Sequence, residues 1–205
     1  MEGRRSRETR RLSAPIQRRK YHELRKPGRI EAVQSLLQKC RMKDLQIVVR
    51  EMRSADARAF LEVHHAAVRG IAVADYPLTV IEAWAPLPVT EKAAEQVRAN
   101  RENEYRLVAE IDGQVVGIGA LVFESSELRA CYVAPAVGRR GVGSALVHEI
   151  ERAACDRGLS MLELDSSITA EAFYRKKGYE TRERSEHTLH NGQRMACVRM
   201  RKSLL

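Results

Sequence analysis

The stretch GRRGVGSALV, residues 138–147, is where chemistry can be read first. Gly138, Arg139, Arg140, Gly141 and Gly143 put three glycines and two arginines into six positions, ahead of an apolar helical pattern. Glycine inside a helix costs about 1 kcal/mol relative to alanine, so these glycines need a reason. Val142, Leu146, Ile150 and Ala154 recur every fourth residue, which starts a helix with one buried face near residue 141. The strand-like run ELRACYVAP stops at Pro135 just before it. A helix opening directly after a strand presents unpaired backbone N–H groups and the positive end of its dipole. Glycines let that backbone close on a bulky anion, and arginines add charge. Gly138 through Val142 to Ser144 therefore reads as a phosphate cradle. A P-loop is excluded because Gly-Lys-Ser/Thr is missing, and G-x-G-x-x-G begun at Gly141 fails at Leu146. Close packing of strand on helix is the competing use of the same glycines.

Other reactive residue types are scattered. Cys40, Cys131, Cys155 and Cys197 stand far apart without a C-x-x-C pair, which fits neither a disulfide framework nor a zinc site. His64 and His65 are adjacent on a helix and point in different directions, and His187 and His190 lack a third ligand at useful spacing. No metal is expected. Tyr76 and Trp84, the only tryptophan, lie in a loosely patterned segment from Ala72 to Pro88. Their faces suit the walls of an amine pocket, because aromatic rings attract cations; a place in the core is the alternative.

The elements that must position these residues alternate strands and helices. LQIVVREM reads as a strand, and the cap-type Ser54 and Asp56 precede a helix over ARAFLEVHHAAVRGIA. TEKAAEQVRANRE is a helix capped by Thr90, and two β-rich runs around Asp112-Gly113 make a hairpin. The helix after the cradle stops at Gly158, the strand SMLELDS follows, and TAEAFYRKK is a helix closed by Gly178. Two last strands, YETRERSE and QRMACVRMRK, flank a turn at Asn191-Gly192.

Charge is unevenly spread. Of the net +9, all sits in residues 1–44, with 14 Lys and Arg against 5 Asp and Glu, while the remainder holds 22 of each. The opening lacks the apolar periodicity needed to offset chain entropy, although Ile30, Val33, Leu37 and Cys40 could form a short amphipathic helix. Residues 1–44 are expected to be a basic, disordered extension, with Met42 as an alternative start, and 45–205 the folded domain. A basic arm also fits nucleic acid, through residues 1–41 alone. No apolar run approaches a membrane span and the opening has no signal-peptide core, so a reduced, cytoplasmic protein is expected.

YVAPAVGRRGVGSALV followed about thirty residues later by AEAFYRKKGYE resembles the GNAT superfamily of acetyl-CoA-dependent N-acetyltransferases, from about residue 46 to 203. The family's loop is usually written Gln/Arg-x-x-Gly-x-Gly/Ala, which puts Gly138 where Gln or Arg is expected, with Arg139 and Arg140 supplying charge. The resemblance implies an α/β (α+β) fold with a mixed, mostly antiparallel sheet that splays open after ELRACYVAP. Acetyl-CoA would lie in the split, its pyrophosphate on residues 138–144 and its pantetheine along the backbone from Cys131 to Val133. The N–H of Val133 would polarise the thioester carbonyl. Tyr174 matches the family's usual general acid, and Ser167 stands where many relatives carry a pantetheine-contacting asparagine. Lys176 or Lys177 could meet the 3′-phosphate of CoA.

The base is left open among Glu127, Glu163, Asp165 and water. The acceptor would be a small-molecule or peptide amine, and relatives often form homodimers. Two further readings stay open: an acyl-CoA sensor without turnover, and an acetyltransferase that works on ribosomes or RNA through its basic leader.

Overall fold

The computed structural model describes residues 46–205. The basic segment 1–44, the pattern at Ile30, Val33 and Leu37, and Met42 as an alternative start lie outside the described residues.

The chain opens with β1 (Val48–Glu51) and a single 3-10 turn at Ser54–Asp56, followed by α1 (Ala57–Gly70). The expected capping role of Asp56 falls on that turn: its carboxylate accepts the Arg53 backbone N–H at 2.7 Å. A short helix, α2 (Leu78–Trp84), occupies part of the segment that sequence patterning leaves loose. It is seven residues long, starts behind Pro77 and ends before APLP, too short for a helical period to emerge. In α3 (Glu91–Ala99), the Thr90 hydroxyl accepts the Ala93 N–H at 3.2 Å, the expected cap.

Next come β2 (Tyr105–Ile111), β3 (Gln114–Val122) and β4 (Glu127–Val133). Asp112 and Gly113 join the first two with φ of 51° and 75°, the backbone that a tight hairpin requires. The remainder is α4 (Val142–Asp156), β5 (Met161–Ser167), α5 (Glu171–Lys176), β6 (Glu180–Thr188) and β7 (Arg194–Ser203).

The seven strands form one sheet in the order β1-β2-β3-β4-β5-β7-β6. All neighbours are antiparallel except β4 and β5, which run parallel and share one residue pair, Glu127 with Glu163. Past that pair the two strands part, so the sheet is mixed, mostly antiparallel and splayed as expected. Arg129 is the extra residue of a bulge in β4, between the pairs Ala120–Ala130 and Leu121–Leu128.

Helices cover both faces. On one, α4 buries Leu146, Val147 and Ile150 against Leu107, Leu121, Leu162 and Met200. Two glycines in β3 set how close it comes. A Cβ on Gly117 would lie 2.6 Å from Val142 Cγ1, and one on Gly119 would lie 3.0 Å from Ile150 Cδ1. On the opposite face, Phe60 and Val63 of α1 pack on Val108 and Ile118. Among the described residues, no helix is long and apolar enough to cross a membrane.

Candidate functional site

The split between β4 and β5 opens into a cavity of about 520 Å³, which the cradle, both parting strands, α1, α2 and α5 line together. Each wall has a sequence reason.

The cradle starts with a 3-10 turn at Pro135–Val137 and reaches α4 through Gly141, whose φ of +92° a side-chain-bearing residue rarely adopts. The first bond of α4 runs from the Ala145 N–H to the Gly141 carbonyl at 2.9 Å. Gly141 has no side chain to cap the helix, so the N–H groups of Val142, Gly143 and Ser144 are without partners among the described residues. No acidic side chain sits in that first turn. Gly138, Arg139, Gly141, Val142, Gly143 and Ser144 all line the cavity, while Arg140 does not. Neither arginine makes a salt bridge among the described residues.

Gly143 has a second task that its place in the motif does not reveal. A Cβ there would come within 3.3 Å of Phe173 Cζ and 3.5 Å of Val133 Cγ2. The missing side chain therefore makes room for the protein's own Phe173.

Strand β4 supplies a free backbone edge. The Ala134 N–H donates to the Val116 carbonyl at 2.8 Å, in register with the pair Ile118–Tyr132. Antiparallel pairing alternates, so the N–H and C=O groups of Cys131 and Val133 point the other way, into the split. Their side chains pack under α4, where the Cys131 thiol lies 3.9 Å from the Gly143 carbonyl. Burial pushes that thiol up to about 12, which leaves it protonated and unreactive.

Across the split, the Ser167 hydroxyl lines the cavity and accepts the Ala170 N–H at 3.2 Å, capping the turn that leads into α5. Phe173 is part of the wall. Tyr174, unlike Phe173, is not among the cavity-lining residues; it lies behind Phe173, buried, with ring centroids 5.1 Å from Phe173 and 5.5 Å from Tyr179. Burial, reinforced by the neighbouring Cys131 and Tyr132, holds the Tyr174 phenol well above its ordinary value. Lys177 places its ammonium 5.9 Å from the Phe173 ring.

On the α1 side the wall is aromatic. Trp84 and Tyr132 both line the cavity, and their centroids lie 6.2 Å apart. The His64 ring meets Tyr132 edge-on at 4.6 Å. Burial, then neighbouring His65, lowers His64 to about 4. Tyr132 is absent from the sequence-based candidates; alternation with Cys131 and Val133 on β4 was the signal that could have found it.

The structure does not bring the remaining candidates to the cavity. Tyr76 stands behind Trp84, at 5.6 Å between centroids, and its hydroxyl is committed twice. It donates to the Ala196 carbonyl at 2.7 Å and accepts the Ile168 N–H at 2.8 Å. Glu127 sits where β4 and β5 still pair, bound to Arg129 at 2.7 Å. Glu163 faces Arg201 at 3.9 Å, and Asp165 faces Arg199 at 3.5 Å and His187 at 3.7 Å. Among the described residues, no cluster of His, Cys, Asp and Glu could hold a metal ion.

Comparison with known proteins agrees with this fold. Residues 72–204 match the family described as acetyltransferase (GNAT) domain. A GCN5-related N-acetyltransferase structure from Rhodopseudomonas palustris superposes with a TM-score of 0.69 at 28% identity, covering 76% of this chain and 94% of that one. The PaiA N-acetyltransferase of Thermoplasma acidophilum, solved in complex with coenzyme A, has the same fold, with a TM-score of 0.61 at 20% identity over 77% of this chain and 99% of that one. The uncharacterised protein YxbD of Bacillus subtilis is 31% identical over 71 residues, 33% of this chain; the match spans 45% of YxbD, under half its length.

Proposed function

Since this chain belongs to the acetyltransferase (GNAT) domain family, we propose that it moves an acetyl group from acetyl-CoA to a primary amine by direct attack in a ternary complex. One observation carries the reading. The unpaired N–H groups of Val142, Gly143 and Ser144 and the free edge of β4 at Cys131 and Val133 border one cavity. An anion at one end of an extended, amide-bearing arm is the ligand that such a surface fits.

When bound, acetyl-CoA supplies an acetyl group activated as a thioester. The N–H groups of residues 142–144, with Arg139 beside them, would hold the pyrophosphate. The main chain of Cys131 and Val133 would pair with the pantetheine amides, with Ser167 on the opposite wall. The Val133 N–H would donate to the thioester oxygen as negative charge builds there; removing one such donor typically costs about 3 kcal/mol of transition-state stabilisation. As the amine nitrogen bonds to the carbonyl carbon and the C–S bond breaks, Tyr174 would give its phenolic proton to the departing thiolate. Its raised pKa keeps that proton available at neutral pH. The amine proton would pass to water, since Glu127, Glu163 and Asp165 each already face an arginine.

The test is amine-dependent release of the CoA thiol by the full-length chain. Release that rises with amine concentration and saturates is the expected result. Acetyl-CoA binding without turnover across an amine panel would favour the sensor reading instead.

A further inference from the structure

The acceptor half of the cavity carries a chemical signature of its own. Cys131 and Val133 turn their side chains toward α4 and the cradle, whereas Tyr132 turns toward α1. The α1 side is therefore the side of the sheet on which the far end of an arm threaded through the split would emerge. Its wall consists of Ala67, Val68, Ile71, Ala72, Trp84 and Tyr132. None of these side chains is charged. Among all the described residues that line the cavity, the only charged one is Arg139, at the cradle.

No carboxylate is among the residues that line the cavity. Asp75 lies outside that lining and is held by the Thr169 hydroxyl, which donates to it at 2.7 Å. Glu163 and Asp165 face Arg201 and Arg199. The ring behind Tyr132 is His64, which burial keeps neutral. We infer that the acceptor is a small primary amine carried on an apolar alkyl or aryl group, with no second positive charge.

Two physical arguments lead there. A polyamine or aminoglycoside would bring further ammonium groups against an apolar wall whose lining holds no carboxylate. Cation–π attraction from Trp84 and Tyr132 is smaller than the penalty for desolvating an unpaired ammonium. An apolar substituent loses nothing by leaving water, and an uncharged surrounding favours the neutral amine that attack requires.

This inference rests on the transfer reading, and one experiment separates the two. Steady-state rates are measured on the full-length protein with 2-phenylethylamine and with spermidine, alongside the thermal transition with and without acetyl-CoA. The expected kcat/KM for 2-phenylethylamine exceeds that for spermidine by roughly 100-fold. Trp84→Glu, which adds a carboxylate to the wall, should narrow the gap by lowering the first value and raising the second. Suppose acetyl-CoA raises the transition but spermidine is used equally well or better, or neither amine is turned over. The apolar acceptor is then overturned while cofactor binding stands. If acetyl-CoA does not move the transition, the transfer reading itself falls.

Discussion

The ring of Phe173 rests against the Cα of Gly143, close enough that an added Cβ would lie 3.3 Å from Phe173 Cζ. The glycine that leaves a backbone N–H free for an anion thus also seats the helix that carries Tyr174. Gly143→Ala should displace the Phe173 ring by a few tenths of an ångström and weaken acetyl-CoA binding roughly tenfold, while alanine's better helix propensity offsets the strain in stability. Phe173→Leu in the same chain should recover part of the lost affinity, measured as a double-mutant cycle. Additive losses would mean that the two residues are not coupled. Gly143→Glu tests less cleanly, since its Cβ meets the same ring before its carboxylate meets any phosphate.

Tyr174→Phe should lower kcat by about 100-fold or more and leave acetyl-CoA affinity within a factor of about two. The ring packing on Phe173 and Tyr179 is kept in that variant, so stability should hardly change. The raised pKa also means that this phenol stays protonated up to pH 10 and beyond, so it should cause no alkaline fall in kcat below that point. Unchanged kcat in the variant would remove Tyr174 from the chemistry.

Tyr76→Phe separates scaffold from pocket. Loss of the hydroxyl strips the Ala196 carbonyl and the Ile168 N–H of their partner, which should cost about 1–2 kcal/mol in urea unfolding. Acetyl-CoA affinity of the folded variant should stay within about threefold. A large loss of affinity at unchanged stability would put Tyr76 in the binding site after all.

The His64 ring makes the fold acid-sensitive in a defined window. Its folded pKa, about 4, lies below the ordinary 6.5, so the native state prefers the neutral ring. Protons bind the unfolded chain first; stability is full above 6.5 and is lost as the pH falls from there toward 4. His65, also lowered by burial, acts in the same direction. His64→Phe should flatten the decline in urea midpoint between pH 7 and pH 4.5 relative to the parent. An equally steep decline would show that His64 does not carry it.

Much of this fold could be read from residue order. The pair Asp112-Gly113 announces its hairpin because both residues accept the positive φ of the tight turn that they form. The fourfold spacing from Val142 to Ala154 places the helix, and the glycines before it place the cradle. What stayed hidden depends on distance. The spacing of Leu78–Trp84 is too short to show a period, so α2 reads as loop. Gly117 and Gly119 look like interruptions of a strand until α4 is seen pressed onto them. Tyr132 and Phe173 carry no signal of a cavity wall in their sequence spacing, and only the parting of β4 from β5 opens the cavity that they line. Tyr76 misleads in the opposite sense: its place in a loose segment suggests a pocket wall, while its hydroxyl ties Ile168 to Ala196.

The central claim is that the split between β4 and β5 holds acetyl-CoA, and thermal unfolding of the full-length chain with and without it is the direct measurement. At about 100 times its Kd, a ligand that binds only the native state adds about 2.7 kcal/mol, a rise of about 5–10 °C for a chain of this size. That rise, diminished in Gly143→Ala and kept in Tyr76→Phe, is the predicted result. A cooperative transition that acetyl-CoA leaves unmoved would contradict the account and return the glycines of the cradle to simple packing.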